Sequence, residues 1–104
     1  MKPVRLASEA VGELADSAAW YESRQAGLAV KFIDEFERTL VLISSRPASF
    51  PRLLDMPPDL DIRRALLPRF PYALVFIELG GEVRVLAVAH VKRQPGYWLE
   101  RVQD

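Results

Sequence analysis

The last third of the chain constrains the fold more than any other part of the sequence. It contains three short runs rich in β-branched and aromatic residues, at Asp61–Leu67, Tyr72–Leu79 and Val83–Val91. Gly80 and Gly81 are the two residues that link the last two runs, and such a pair favours a tight hairpin because glycine adopts positive φ without steric cost. The sequence therefore predicts a meander of three antiparallel strands.

The first half of the chain has the periodicity of two amphipathic helices. Apolar residues recur at steps of three and four, which predicts helices over residues 8–25 and 28–45. Ser8 stands where an N-cap is expected, and Gly27 supplies the turn between the helices. A short strand is expected at Pro3–Leu6. The expected buried stripe of the first helix consists of Ala10, Val11, Leu14, Ala18 and Tyr21.

The predicted order of elements is β-α-α-β-β-β. This order indicates an α+β fold in which a two-helix hairpin packs on a small, mainly antiparallel sheet. Apolar residues from both layers should meet between them. The core of this fold is expected to contain Ile33, Phe36, Leu40, Val75, Ile77, Val85 and Ala87.

Composition excludes several classes of protein. At 104 residues, of which 50% are hydrophobic, the chain is expected to form one domain over residues 1–104 with a packed core. It has no cysteine, which excludes disulfides, thiolate catalysis and cysteine-ligated metals. The N-terminal segment lacks the continuous apolar region of a signal peptide, and no apolar run is long enough to cross a bilayer. We therefore expect a cytoplasmic protein.

The charges point to a local basic surface rather than a strongly basic protein. The net charge is zero, which argues against a strong non-specific nucleic-acid binder. The sequence contains no phosphate-binding loop, nucleophile elbow or zinc-protease motif, and a single histidine cannot form a usual zinc site, so neither a metal nor a cofactor is expected. The acidic run Asp34, Glu35 and Glu37 is interpreted as a solvated helix face. The basic residues around the meander are Arg63, Arg64, Arg69, Lys92 and Arg93.

The residues from Phe70 to Trp98 carry a resemblance to a known family. They read F-P-Y-A-L-V-F, a Gly-Gly turn, V-R-V-L-A-V-A-H and then K-R-Q-P-G-Y-W. With the β-α-α-β-β-β order, this pattern resembles the RelE/ParE superfamily of toxins from type II toxin–antitoxin modules. The resemblance implies a growth-inhibiting protein of the kind linked to plasmid stabilisation. It also implies a cognate antitoxin protein as partner, with a heterotetramer as one form of the complex.

The resemblance leaves two functions open. Members similar to RelE cut messenger RNA on the ribosome without a metal, using basic residues and a tyrosine as acid, base and charge stabilisers. Members similar to ParE bind DNA gyrase and stall it on cleaved DNA, without catalytic residues of their own. The gyrase function is slightly favoured, because Ala73 stands where ribonuclease members often carry an arginine. If the chain is a ribonuclease, the resemblance implies catalytic roles for Arg69, His90, Lys92 or Arg93, and Tyr97.

The resemblance also places binding residues. Arg63, Arg64 and Trp98 are the candidates for contact with the target, although the two arginines should point to opposite faces of a strand, so at most one serves any given site. Structural roles are the alternatives for His90 and for Tyr97 with Trp98, as a packed histidine and as anchors of the C-terminal segment. A third function, an antitoxin-binding protein that has lost toxicity, also stays open. The apolar residues expected to bind the antitoxin are Phe50, Leu53 and Leu54.

Overall fold

The computed structural model describes residues 1–103 and contains two helices on a four-stranded sheet. The strands lie in the order β1 (Val4–Leu6), β4 (Glu82–His90), β3 (Tyr72–Leu79) and β2 (Ile62–Leu66). Strand β1 pairs in parallel with β4, and the other two pairs are antiparallel. The predicted α+β fold and the β-α-α-β-β-β order are therefore confirmed. Short 3-10 turns lie at Pro47–Ser49 and Leu99–Gln103. The two helices are α1 (Ser8–Arg24) and α2 (Leu28–Ser45).

The two-glycine hairpin between β3 and β4 is present as predicted. Gly80 has φ 59° and Gly81 has φ 80°, both in the left-handed region that a side chain would disfavour. Leu79 pairs with Glu82 across this turn. Strand β4 therefore begins at Glu82, one residue earlier than the sequence pattern predicted.

One face of the sheet packs against the helical hairpin. Phe32 and Ile43 of α2 are completely buried against Leu74 and Phe76 of β3, so the amphipathic periodicity of α2 predicted its buried side correctly. Among the expected core residues, Ile33 and Leu40 are only half-buried at the border of this cluster. The others are buried as predicted, namely Phe36, Val75, Ile77, Val85 and Ala87.

The buried side of α1 differs in part from the prediction. Val11 is 51% exposed, whereas Ser17 is buried, so the contact face of α1 is rotated toward small residues. The N-cap is Ala7 rather than Ser8, whose hydroxyl instead donates to the Glu9 carboxylate at 3.2 Å. A hydroxyl that bonds a neighbouring side chain leaves the first backbone N–H groups of the helix uncapped by a side chain.

The acidic side of α2 also needs a correction. Glu35 is buried rather than solvated, because α2 lies close enough to its neighbours to cover that side chain. Its carboxylate accepts a hydrogen bond from the guanidinium of Arg38 at 3.2 Å. Asp34 and Glu37 are exposed as predicted.

The opposite face of the sheet is covered by irregular segments. The Trp98 ring, from the C-terminal segment, lies in the centre of a second apolar cluster on this face. A β-bulge contributes to it: Val75 pairs with Ala87 and Phe76 pairs with Val85, which leaves Leu86 as the extra residue of β4. No helix among residues 1–103 is long and apolar enough to span a membrane. The cover of this face consists of Leu53, Met56, Leu60, Tyr97, Leu99 and Val102.

Candidate functional site

A small cleft opens on the face of the sheet opposite the helices, with a volume of about 50 Å³. Ala73 and Ala89 face each other across β3 and β4, and their short side chains leave the space that forms it. Exposed Arg64 and Arg93 both line this cleft, whereas no carboxylate does so within the described residues 1–103. We call this site the arginine cleft. It is lined by Leu53, Arg64, Ala73, Val75, Ala89, His90, Val91, Arg93, Gln94, Pro95, Tyr97 and Trp98.

The guanidinium of Arg93 is held over an aromatic ring. Its central carbon lies 3.9 Å from the centroid of the Tyr97 ring, within the range of a cation–π contact. Its backbone N–H donates to the His90 carbonyl at 2.9 Å, which fixes the turn after β4. Two arginines without a facing carboxylate can bind an anionic group, and the apolar floor beside them can accept a small apolar side chain.

The hydroxyl of Tyr97 is engaged with helix α1. It donates to the Oε2 atom of Glu13 at 2.8 Å. Burial, this hydrogen bond and the nearby carboxylate charge together raise the pKa of Tyr97 to about 12. A phenol with such a pKa remains protonated near neutral pH and has its proton directed at Glu13, so it is poorly placed to transfer a proton to a substrate.

Glu13 and Arg101 together close an open edge of the sheet. The last backbone contact on the β1 side of β4 is the bond from the Ala7 N–H to the Val85 carbonyl, at 2.9 Å. Beyond it, Arg101 donates to the Leu86 carbonyl at 3.0 Å. The Oε1 atom of Glu13 accepts both the Val88 N–H and the Arg101 guanidinium, each at 3.0 Å. These two side chains thus satisfy backbone groups that a neighbouring strand would otherwise pair.

The Glu13–Arg101 pair is largely shielded from solvent. The side chains of Arg101 and Glu13 are 12% and 18% exposed. Burial alone would lower the pKa of Arg101, but the hydrogen bond and charge of Glu13 outweigh it, so the pKa is raised and the guanidinium stays charged. The pair therefore fixes the C-terminal segment to α1 with a charge-assisted contact.

The predicted ribonuclease residues do not all lie at one site. His90, Arg93 and Tyr97 line the arginine cleft, whereas Lys92 is exposed and is not among its lining residues. Arg69, which has φ 70°, lines a separate cleft on the helix side, together with Lys31, Asp34, Glu35 and Arg38. The two clefts share no lining residue. Arg69 therefore does not join the set that the resemblance implied.

The His90 ring has a structural environment. Its Nδ1 atom accepts the backbone N–H of Lys92 at 3.1 Å. Its ring packs edge-to-face on Tyr72, with 5.2 Å between the ring centroids. The histidine thus orders the turn at the end of β4 while one side of it borders the arginine cleft.

The two neighbouring arginines of β2 have different surroundings, as their alternation on the strand predicted. The Arg63 side chain is 19% exposed and donates to the carbonyls of Ala48, at 3.2 Å, and Phe50, at 2.5 Å. It also pairs with Asp61. Arg63 thus fastens the segment after α2 to the sheet, and Arg64 is the one of the two that lines the arginine cleft.

The remaining candidates differ widely in exposure. Trp98 is 2% exposed, which places its ring in the core rather than on a contact surface. Phe50 packs edge-to-face on Phe76, with 5.8 Å between centroids, and Leu53 is a half-buried wall of the arginine cleft. Leu54 is 83% exposed. Of the three apolar residues expected to bind an antitoxin, Leu54 alone presents most of its side chain to solvent.

The sequence interpretation missed Glu13 and Arg101. Glu13 meets Tyr97 across 84 positions of the chain and Arg101 across 88, so no local spacing pattern indicates either contact. The available signal was weaker: Glu13 lies one residue before Leu14, on the border of the apolar stripe of α1.

Comparison with known proteins places the fold. No family model matches the sequence, and no curated protein matches it. A solved structure described as the chromosomal ParDE TA (toxin–antitoxin) system from P. aeruginosa contains a chain that superposes with a TM-score of 0.73 at 16% sequence identity. The superposition covers 86% of this chain and 96% of that one. The chain therefore has the fold of a protein from a ParDE system, and the resemblance to the RelE/ParE superfamily is confirmed for the fold.

Proposed function

We propose that the protein is the toxin of a type II toxin–antitoxin module and that it acts in the cytoplasm by poisoning DNA gyrase, as ParE-like toxins do. The observation that carries this proposal is the fold shared with a ParDE-system chain over 86% of the sequence. Fold alone does not fix a target, because one fold serves many functions. The choice between gyrase and messenger RNA therefore depends on the arginine cleft.

The cleft lacks the set of groups that metal-independent RNA cleavage needs. Attack of a ribose 2′-hydroxyl requires a base, an acid and cations at the scissile phosphate. The Tyr97 proton is directed at Glu13, Arg69 lies in the other cleft, and Ala73 places a methyl group where a cation would help. Arg64, Arg93 and His90 remain in the cleft, but the Nδ1 atom of His90 already accepts the Lys92 N–H. Two cations can bind an anionic group without catalysing its cleavage. This arrangement supports a toxin that acts by binding.

The proposed contact with gyrase uses the arginine cleft. Arg64 and Arg93 are exposed, converge on one opening and have no carboxylate beside them in that opening within residues 1–103. Charge complementarity favours an acidic surface of gyrase or the phosphates of its cleaved DNA as the group they meet. Trp98 supports the floor from below and does not itself reach the target.

The proposed antitoxin covers apolar surface near residue 54. Leu54 is 83% exposed in the irregular segment between α2 and β2, and Leu53 beside it forms a wall of the cleft. An amphipathic segment that binds here would bury Leu54 and approach the arginines at the same time. We therefore expect the lone chain to be toxic or poorly produced, and coexpression of the cognate antitoxin to relieve this. Harmless overexpression of the lone chain to high yield would contradict the proposal.

The experiment that tests the target compares two reactions with one preparation of toxin. Purified gyrase should lose supercoiling activity as toxin is added, with cleaved DNA accumulating, while messenger RNA in a translating extract stays intact. The antitoxin complex serves as the matched control and should leave gyrase active. Cleaved message with gyrase supercoiling unaffected would replace this proposal by the RelE-like ribonuclease.

A further inference from the structure

Glu13 occupies a position from which it reaches the arginine cleft without lining it. Its Oε2 atom receives the Tyr97 hydroxyl at 2.8 Å, and the Arg93 guanidinium lies 3.9 Å from the centroid of that same ring. A chain of two contacts thus connects α1 to an exposed cation of the cleft. We propose that Glu13 is a positioning residue that holds Arg93 in a target-ready orientation through the ring of Tyr97. The functional part of this inference rests on the proposed action on gyrase.

Arg93 needs a support to keep one orientation. It is exposed, and an exposed arginine samples many rotamers whose loss opposes binding. Contact with an aromatic face restricts the guanidinium to the region above the ring. Arg93 can therefore meet its partner in one orientation only if the Tyr97 ring is itself fixed.

Glu13 fixes the Tyr97 ring at its hydroxyl end. The backbone below Tyr97 is set by Pro95 and by Gly96, whose φ is 95°. Rotation about the side-chain torsions of Tyr97 would still swing the ring away from Arg93, and the bond from its hydroxyl to Glu13 opposes that rotation. The ring also packs against the apolar cluster around Trp98, and its centroid lies 5.1 Å from the guanidinium carbon of Arg101, which is itself bonded to Glu13. The bond from the hydroxyl to Glu13 adds a directional restraint at the end of the ring.

The Glu13 carboxylate is itself held by hydrogen bonds at both of its oxygens. Its Oε1 atom accepts the Val88 N–H and the Arg101 guanidinium, each at 3.0 Å, so both oxygens of the carboxylate are used. A glutamine at this position keeps one acceptor oxygen for Val88 and Arg101, and its amide group can donate to the Tyr97 hydroxyl. Alanine keeps none of the three contacts, with Val88, Arg101 and Tyr97. The ability of residue 13 to hold the Tyr97 ring should therefore decrease from Glu to Gln to Ala.

The test has a spectroscopic arm that does not depend on any target. In the wild-type protein the Arg93 side-chain protons lie over the Tyr97 ring, so their NMR signals should be shifted upfield by the ring current. This shift should shrink in Glu13→Ala and in Tyr97→Phe, which keeps the ring and removes only its hydroxyl. It should largely persist in Glu13→Gln. Phe50→Leu, on the other face of the sheet, is the control for a general loss of stability and should leave the shift unchanged.

The second arm measures inhibition of gyrase. Tyr97→Phe should raise the half-inhibitory toxin concentration by up to roughly two- to fivefold, the upper bound being complete loss of one exposed cation–π contact when the ring turns away from Arg93. The same change made in an Arg93→Gln background should have no further effect, because the group being positioned is gone. An unchanged Arg93 signal in folded Tyr97→Phe would overturn the positioning role, and this variant decides the question if Glu13→Ala fails to fold. Wild-type protein that leaves gyrase active would instead overturn the proposed function, while the NMR arm still tests the role of Glu13.

Discussion

The two faces of the sheet are built by different means. On the helix face, Phe32 and Ile43 of a regular helix are buried completely against Leu74 and Phe76 of β3. On the opposite face, the buried Trp98 ring belongs to an apolar cluster that irregular segments cover. Hydrogen bonds among Glu13, Tyr97 and Arg101 hold the C-terminal segment in place there.

The difference separates the part that stabilises the fold from the part that can act on a partner. A helix face is specified by the repeated spacing of apolar residues, and any change in it alters the packing of the whole layer. The opposite face depends on a few directional contacts, so exposed residues such as Arg64 and Arg93 can vary there without disturbing the core. Surfaces of this kind, on loops fixed by a rigid scaffold, are where binding sites usually occur.

The largest expected effect tests whether the C-terminal segment forms a core on the irregular face of the sheet. Replacing Trp98, which is 2% exposed, by alanine should lower the free energy of unfolding by about 3–5 kcal/mol, because it leaves a large cavity over the sheet. The matched control is Trp20→Ala, where the ring is 52% exposed and the loss should be about 1 kcal/mol. Urea unfolding followed by circular dichroism measures both. Equal losses would show that the C-terminal segment does not form a core.

A smaller effect tests the capped edge of β4. Arg101→Leu removes the donor to the Leu86 carbonyl and leaves Glu13 with its charge uncompensated, which should cost about 2 kcal/mol. Arg52→Leu is the control, since the Arg52–Asp61 pair is 54% and 51% exposed and should contribute less than about 0.5 kcal/mol. Hydrogen exchange at the Val88 amide should also accelerate in Arg101→Leu and not in Arg52→Leu. An unchanged Val88 amide would contradict the edge-capping role.

The smallest expected effect is on the pH dependence of the free energy of unfolding, in which one group from each face of the sheet is compared. The pKa of Tyr97 is raised from 10.0 to about 12. The protonated side chain therefore contributes fully to the free energy of unfolding below pH 10, and this contribution is lost as the pH rises through about 12. On the helix side, bonds from the backbone N–H groups of Gly27 and Ala29 lower the pKa of Glu22 from its ordinary value of 4.5. Its contribution is complete above that value and is lost as the pH falls through the lowered pKa.

The measurement is unfolding free energy against pH for the wild type and two variants. Tyr97→Phe should reduce the alkaline decline, to which the pKa of Tyr21, raised by burial, also contributes, and should leave the acid side as it is. Glu22→Gln should do the reverse. A Tyr97→Phe profile that falls as steeply as the wild type above pH 10 would show that titration of Tyr97 does not contribute to the alkaline decline.

The sequence predicts the helix face well for a physical reason. Periodic patterns and the Gly80-Gly81 turn act over a few residues, and they placed the boundaries of α2 and β3 as the structure has them. The failures arise where contacts join distant positions. Glu13 and Arg101 are 88 positions apart. Arg69 lines the cleft on the helix side, whereas Arg93 lines the arginine cleft on the opposite face.

The exposure of individual side chains was also hard to predict, because it depends on how distant segments pack against one another. The spacing of Val11 fits the apolar stripe of α1, yet the small Ser17 is buried and Val11 is not, since the crossing of two helices depends on side-chain size as well as on periodicity. The spacing of Glu35 fits a solvated face, and its burial follows from the position of α2 relative to neighbouring segments. Likewise, the indole of Trp98 fits either a contact surface or a core, and only the position of the C-terminal segment decides between them.

We propose that the arginine cleft, rather than the cleft on the helix side that Lys31 and Arg69 line, acts on gyrase. The most direct measurement compares two double variants in a supercoiling assay, Arg64→Gln with Arg93→Gln and Lys31→Gln with Arg69→Gln, which remove the same number of positive charges. The first should lose most of its inhibition and the second should inhibit as the wild type does, with both showing wild-type unfolding curves. Inhibition retained by the first double variant and lost by the second would contradict the account.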